Sequence, residues 1–271
     1  MEKYASKWKG NWALVTGASA GIGKSLAEEL AAAGANLVLT ARRRERLEDL
    51  ARTLSAAHKI RTEVFVADLA DSAAPGKILA FTQGRNIHID LLVNNAGFGA
   101  YGEFATADLG RQVEMVHVNC AAVVHLTHLF LPAMIAHRSG DILIVASTAA
   151  FQAVPYISTY AATKAFDLSF AEGLAEELKP HGIRVCALCP GSTESEFHRV
   201  ANQANIPSAN RRRETSEKVA RTGLKALAAG KSYVISGAGN YLGAQLQRLV
   251  PRGWVTAIAA RMFRPRVQTN A

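Results

Sequence analysis

Trp12-Ala13-Leu14-Val15-Thr16-Gly17-Ala18-Ser19-Ala20-Gly21-Ile22-Gly23 is a short apolar run of β character that breaks into a glycine-rich turn. From Gly21 to Ala33 the pattern becomes helical, with Ile22, Leu26 and Leu30 on one face. Glycines allow a tight turn and let the backbone approach a pyrophosphate closely. The helix that follows offers unpaired N–H groups and the positive end of its dipole to the same anion. A glycine cluster alone is equally a simple turn. It is the strand, turn and helix in that order that point to a nucleotide.

Outward from this unit the alternation continues. Strand-like runs fall at Asn36–Thr40, Thr62–Ala67, Ile89–Val93, Asp141–Ser147, Ile183–Leu188 and Lys231–Ser236. Helical patterns fall at Arg43–Ala57, Asp108–Ile135 and Thr159–Lys179. Strands alternating with helices make right-handed βαβ units. The expected fold is therefore α/β, a doubly wound parallel sheet of about seven strands with helices on both faces. There are no repeats and no low-complexity linker, so residues 1–271 read as one domain. Residues 192–217 are polar and weakly periodic, as suits a lid over a substrate. Residues 240–271 form a basic, amphipathic C-terminal extension.

Composition narrows the function classes. Nearly half of the 271 residues are apolar, as in an ordinary globular protein with a sizeable core. Three cysteines are too few for a disulfide scaffold, which fits a reducing compartment. Cys186 and Cys189 have C-x-x-C spacing, but on a strand positions three apart point to opposite faces, so both read as core. No metal set is expected; His125 and His128 lack a third ligand. No secretory signal is expected, because the first ten residues are polar and basic and an apolar strand follows directly. The apolar stretch Cys120–His137 carries His125, Thr127, His128 and Pro132 and reads as a buried helix. Nine of the 31 Lys and Arg, and none of the 22 Asp and Glu, follow Glu217. The whole excess of +9 thus lies in the last fifth of the chain and suggests an anionic partner.

The end of the second strand, Leu39-Thr40-Ala41-Arg42-Arg43-Arg44, bears on the choice of nucleotide. An acid there would bind a ribose 2′-hydroxyl; arginine suits a 2′-phosphate. Ala41 stands where the acid would be, and Arg42 and Arg43 follow. A guanidinium grips phosphate with two charge-assisted bonds, so NADP(H) is the expected cofactor. The other reading of these arginines is a solvated helix start.

Tyr160 and Lys164 are four apart and share a helix face. A free tyrosine has a pKa near 10, and lowering it by about three units takes roughly 4 kcal/mol. One ammonium about 4 Å away at an effective dielectric near 20 supplies that. In isolation the pair is also an ordinary surface pair.

Together these motifs resemble the short-chain dehydrogenase/reductase family. The glycine spacing is G-x-x-x-G-x-G; Asn94-Asn95-Ala96-Gly97 follows the fourth strand, and Tyr160-Ala161-Ala162-Thr163-Lys164 is a Y-x-x-x-K. Ser147 precedes Tyr160 by thirteen residues, Asn119 lies on the long helix, and Pro190-Gly191 follows the sixth strand. The resemblance covers roughly residues 10–240 and implies a Rossmann-type fold. It implies a catalytic set of Asn119, Ser147, Tyr160 and Lys164, with Thr148 a weaker stand-in for Ser147. Tyr160 donates a proton to the alkoxide left by hydride transfer, Ser147 orients that oxygen, Lys164 holds the ribose and Asn119 supports a water that returns protons. It implies cofactor contacts from Gly17, Ser19, Ala20, Gly21, Ile22, Gly23, Asp68, Leu69, Asn95, Ala96, Gly97, Pro190, Gly191 and Thr193. Asp68 also reads as a helix N-cap. A homo-oligomer, dimer or tetramer, is implied through the two long helices. Within the family the wording around residues 95–104 looks most like bacterial reductases akin to hydroxysteroid and long-chain 3-oxoacyl reductases.

The expected activity is NADPH-dependent interconversion of a carbonyl and a secondary alcohol in the cytoplasm. Phe98, Phe104, Phe151, Val154 and Phe197 suggest an apolar pocket and a lipidic or bulky substrate. The alternative is a non-catalytic NADP(H) sensor or scaffold, which would not need the four catalytic residues. Nucleic acid is not an expected partner, because the cations are sparse and no recognition motif is present. Beyond residue 240, arginines interleave with Tyr241, Leu242, Leu246, Leu249, Trp254, Ile258 and Phe263. Three readings fit this end: a substrate cover or oligomer contact, peripheral association with a membrane surface, and a solvated tail.

Overall fold

The computed structural model describes residues 7–194, 196 and 213–265. Seven parallel strands form one sheet in the order β3-β2-β1-β4-β5-β6-β7. They are β1 Trp12–Thr16, β2 Asn36–Ala41, β3 Thr62–Val66, β4 Leu91–Asn94, β5 Gly140–Val145, β6 Ile183–Cys189 and β7 Tyr233–Ile235. The order reverses between β1 and β4, where a doubly wound sheet opens a crevice at its carboxyl edge.

The central strands are buried on both faces, so their runs are continuously apolar. Leu14, Leu92 and Ile142 face a core formed with α3 Ala74–Gly84, α4 Leu109–Val116, α5 Ala122–His137 and α6 Ser158–Leu178. Val15, Val93 and Leu143 face a second core, under α1 Gly21–Ala32, α2 Arg44–His58 and α7 Ser216–Ala228. Cys186 belongs to the second core and Cys189 to the first, as their spacing on a strand requires. Burial pushes both thiols up to about 12, which removes them from redox or metal chemistry near neutrality.

Opposite the crevice a buried carboxylate ties the sheet together. Asp141 accepts Arg184 Nε at 2.7 Å, Arg184 Nη2 at 3.0 Å and Trp8 Nε1 at 2.7 Å. The fork joins β5 to β6, and the indole closes the N-terminal segment over them.

Several expected boundaries change. α3 and α7 carried no clear apolar period. α3 begins with Pro75 in its first turn, and α7 is capped by Thr215 and packs beside α1. Residues 216–217 of the expected lid therefore belong to a helix; residues 195 and 197–212, including Phe197, lie outside the described residues. β5 stops at Val145, because Ser147 turns away to cap a short 3₁₀ helix. The expected long helix is interrupted by a π-turn at His117–Ala121. One helical stretch, Leu109–His137, is long and apolar enough to cross a membrane, but Val123, Leu126, Phe130 and Met134 are buried against the sheet. Two more helices follow β7: α8 Ala238–Leu246 and α9 Arg252–Phe263.

Candidate active site

A cavity of about 600 Å³ opens at the carboxyl ends of β1, β4, β5 and β6, a size that suits a small-molecule site. Eighteen of the twenty residues assigned from the sequence line it; Gly23 and Asn119 lie behind the wall.

At one end, Gly17 adopts φ +66, a left-handed conformation that favours glycine. A Cβ there would stand 2.7 Å from Asn95 Nδ2 and 3.0 Å from Ala96 Cα. Gly23 packs against the same Asn95 amide and the Gly17 carbonyl. Asn95 Nδ2 donates to the Thr16 carbonyl at 2.8 Å, and the Thr16 hydroxyl accepts from the Asn95 and Ala96 amides. β1 and β4 are thereby locked side by side beneath the turn. Ala20, the cap residue of α1, supplies no side-chain acceptor, so the first-turn N–H groups remain for an anion beside Ala20, Gly21 and Ile22. This end fits a dinucleotide pyrophosphate.

The two arginines expected at the cofactor both line the cavity and make different contacts. Arg43, rather than Arg42, reaches back to the glycine turn, donating from Nε and Nη2 to Ser19 Oγ at 3.2 and 3.0 Å. Its Nη1 donates to Glu196 at 2.6 Å, and Arg46 donates to the same carboxylate. These hydrogen bonds hold the Glu196 carboxyl below its usual range. Arg42 lies 3.7 Å from Asp68 and is largely exposed. The guanidinium of Arg43 is thus held at the glycine turn by a hydroxyl and a carboxylate. Asp68 accepts from the Ala70 amide in a turn; α3 starts six residues later, so Asp68 is not its N-cap.

At the other end, Ser147, Tyr160 and Lys164 converge. Ser147 and Tyr160 share a hydrogen bond. Lys164 Nζ donates to the Val145 carbonyl at 2.7 Å and to Asp167 Oδ2 at 2.9 Å. Asn119, fully buried in the π-turn, accepts from the Phe98 amide and donates to the Phe98 carbonyl and Thr163 Oγ1. Its carboxamide fastens the Asn95–Phe98 loop to α6. Thr148 also lines the cavity.

The expected lowering of Tyr160 by Lys164 is outweighed. Burial pushes the phenol up, Lys164 and Ser147 pull it down, and Asp167 opposes them; the balance lies above the ordinary value. Burial alone would push Lys164 down, but Asp167 and Tyr160 more than compensate, and its pKa is raised. Asp167 was missed because nothing in its position marked it except a three-residue spacing from Lys164.

Of the five apolar residues expected to line the pocket, only Phe98 does so among the described residues. Phe104 is exposed, and Phe151 and Val154 pack into the core around β5 and β6. The apolar wall comes from Val118, Ile157 and Phe263 of α9, which agrees with the reading of the C-terminal end as a substrate cover. Tyr101 Oη donates to the Phe263 carbonyl at 2.8 Å, and Asn240 of α8 also lines the cavity. The C-terminal helices therefore cover the site with one face. Leu242, Leu246, Trp254 and Ile258 of these helices are exposed, as is Leu249 in the turn between them. No group of three metal-ligating side chains occurs among the described residues.

A family profile described as short chain dehydrogenase matches residues 11–206. The chain is 37% identical over 185 residues to hydroxysteroid dehydrogenase-like protein 1 of Gallus gallus, covering 67% of this chain and 55% of that one. It is 38% identical over 185 residues to very-long-chain 3-oxoacyl-CoA reductase-A of Danio rerio, covering 67% and 57%. The chain thus spans little more than half the length of these relatives. A solved short-chain dehydrogenase from Sphingobium yanoikuyae, in complex with NADPH, superposes with a TM-score of 0.80 at 28% identity, covering 96% of this chain and 98% of that one.

Proposed function

The chain belongs to the short-chain dehydrogenase family, and from that premise we propose that it is an NADPH-dependent reductase of an apolar, lipidic carbonyl. The observation that carries this reading is one continuous cavity. It joins an uncapped helix N-terminus and an oriented Arg43 at one end to the hydrogen-bonded Ser147–Tyr160 pair at the other. NADPH binding by the Sphingobium relative and the 3-oxoacyl-CoA reductase likeness support the same cofactor and substrate class.

When bound, NADPH supplies a hydride to the carbonyl carbon. Gly17, Ser19 and the first turn of α1 would hold its pyrophosphate, Arg43 with Arg42 its 2′-phosphate, and Lys164 its ribose hydroxyls. Asp68 and Leu69 would lie beside the adenine, and Pro190, Gly191 and Thr193 would close the far wall. Ser147 donates to the carbonyl oxygen and fixes it beside Tyr160. The phenol gives its proton to that oxygen, yielding a secondary alcohol. A buried phenol with a raised pKa is protonated at neutral pH, the form a general acid requires. Asn119 supports proton return to Lys164 by holding the loop and α6 in register. Phe98, Val118, Ile157 and Phe263 exclude water and take an acyl chain or ring system.

The experiment is consumption of NADPH and, separately, NADH over carbonyls from small aldehydes to steroids and long-chain 3-oxoacyl thioesters. NADPH-dependent turnover of the long-chain or polycyclic members is expected. Arg43→Ala should erode the preference for NADPH over NADH by roughly tenfold to a hundredfold, the worth of one charged hydrogen-bonding partner. An unchanged preference would return the 2′-phosphate to Arg42.

We place the enzyme in the cytoplasm, peripheral at a membrane surface and self-associated. Leu109, Val113, Val116 and Phe166 expose apolar surface along α4 and α6, suited to a dimer or tetramer. The exposed row on α8 and α9 is flanked by exposed Arg248, Arg252, Arg261 and Arg264, suited to anionic lipid. Leu249→Glu with Trp254→Glu should abolish co-sedimentation with anionic vesicles. Binding that survives both changes places the lipid contact elsewhere, and a change in oligomeric state instead marks the row as a subunit contact.

A further inference from the structure

Beside the catalytic pair lies a charged group that the proposed reaction does not use. Asp167 has no exposed surface and does not line the cavity. Its Oδ2 accepts from Lys164, three residues back on α6, and its Oδ1 has no hydrogen-bond partner. A buried carboxylate is costly, and an apolar residue of similar size in its place is often neutral or better for stability. The position on α6 therefore invites a reason other than packing.

The titratable groups facing this cluster can be named element by element. α6 contributes Tyr160, Lys164 and Asp167 itself. The π-turn contributes Cys120, whose thiol burial pushes up to about 11, and β6 contributes Cys189, pushed up to about 12. β5 offers only the Val145 carbonyl, and the segment after it the Ser147 hydroxyl. Both thiols are neutral near pH 7. The charge balance is left to an ammonium, a carboxylate and a phenol.

We propose that Asp167 is a positioning residue that holds Lys164 against β5 and balances its charge, so that the site starts with a neutral phenol and is set to give a proton. The inference rests on the reading of Tyr160 as proton donor. The argument is a charge count. With Asp167 ionised, Lys164 protonated and Tyr160 neutral, the buried cluster carries no net charge, and losing a proton leaves it at minus one. Without the carboxylate the cluster carries plus one, and losing a proton makes it neutral. The first proton therefore leaves more readily, and the proton belongs to the cluster as a whole. Lys164 next to a balanced counter-charge keeps its own proton in a site where burial would otherwise remove it.

The test is Asp167→Asn, followed in two ways. One is the pH profile of kcat/KM for oxidation of a secondary alcohol with NADP⁺. The other is the tyrosinate absorbance of the free protein, taken as the difference from the same protein carrying Tyr160→Phe. Both onsets are expected to move about two pH units toward acid. Asp167→Glu keeps the charge and should keep the wild-type onset, which serves if the Asn variant folds poorly. Onsets that stay in place while the melting temperature falls would make Asp167 merely structural and overturn the proposal. Activity that persists in Tyr160→Phe would instead bring down the reading of Tyr160 itself.

Discussion

Tyr160→Phe is expected to cut turnover by on the order of 10³-fold or more, toward the upper end of what a positioned acid contributes, while NADPH affinity stays nearly unchanged. The substitution removes one hydroxyl from a ring that is 9% exposed and packed in the core. What is lost is the proton donor and the hydrogen bond with Ser147. The stability cost should be about 1 kcal/mol, that of a single buried hydrogen bond. Ser147 would still orient the carbonyl, but the growing alkoxide would have no partner to neutralise it. Steady-state rates alongside a fluorescence titration of NADPH separate the two effects. A Phe variant that turns over at more than a tenth of the wild-type rate would move the acid to another group. Loss of binding and rate together would mean that the ring, rather than its hydroxyl, is what the site needs.

The second large effect is expected at the opposite end of the cavity. Gly17→Val should lower NADPH affinity by at least about 100-fold. Two costs combine. The left-handed backbone at Gly17 penalises any residue with a Cβ by roughly 1–2 kcal/mol, and more for a β-branched one. The new Cβ would also meet Asn95 Nδ2 at 2.7 Å and the Ala96 backbone at 3.0 Å. Relief requires β1 and β4 to part, and they are pinned together by Thr16. The turn that aims α1 at the pyrophosphate would then shift. Calorimetric titration of NADPH measures the loss, and circular dichroism checks that the variant is folded. Gly17→Ala should lose less. A folded Val variant that binds NADPH normally would mean that the pyrophosphate lies elsewhere.

Both predictions use residues legible from spacing alone, and the reason is physical. The glycine turn and the Tyr160–Lys164 spacing are local: a few consecutive residues and one helical turn define them. The parallel sheet was equally legible, because strands buried on both faces are continuously apolar, as in Leu91–Val93 and Ile142–Val145. The two cysteines separated correctly into two cores for the same reason of strand geometry. α3 escaped notice because its residues mix polar and apolar without a clean period. α7 escaped because it lies beyond a polar segment.

The wrong expectations share another cause. Phe104, Phe151 and Val154 were placed in the pocket on the strength of residue type and loop position, yet a loop's path is set by distant contacts. Phe263, more than 160 residues from Phe98, shares the cavity wall with it.

The sequence by itself determined the α/β class, the nucleotide turn, the face shared by Tyr160 and Lys164, and the concentration of positive charge at the C-terminal end. Each depends on neighbours within about two helical turns or on composition. Tertiary structure alone decided which arginine meets the turn and which side chains close the pocket. It also decided how the C-terminal helices cover the site and what charge surrounds Tyr160. Those outcomes depend on burial and on groups brought together from separate elements. An ammonium that would acidify the phenol in isolation is outweighed here by burial of the ring, to which a neighbouring carboxylate adds. Only the folded arrangement fixes that sum.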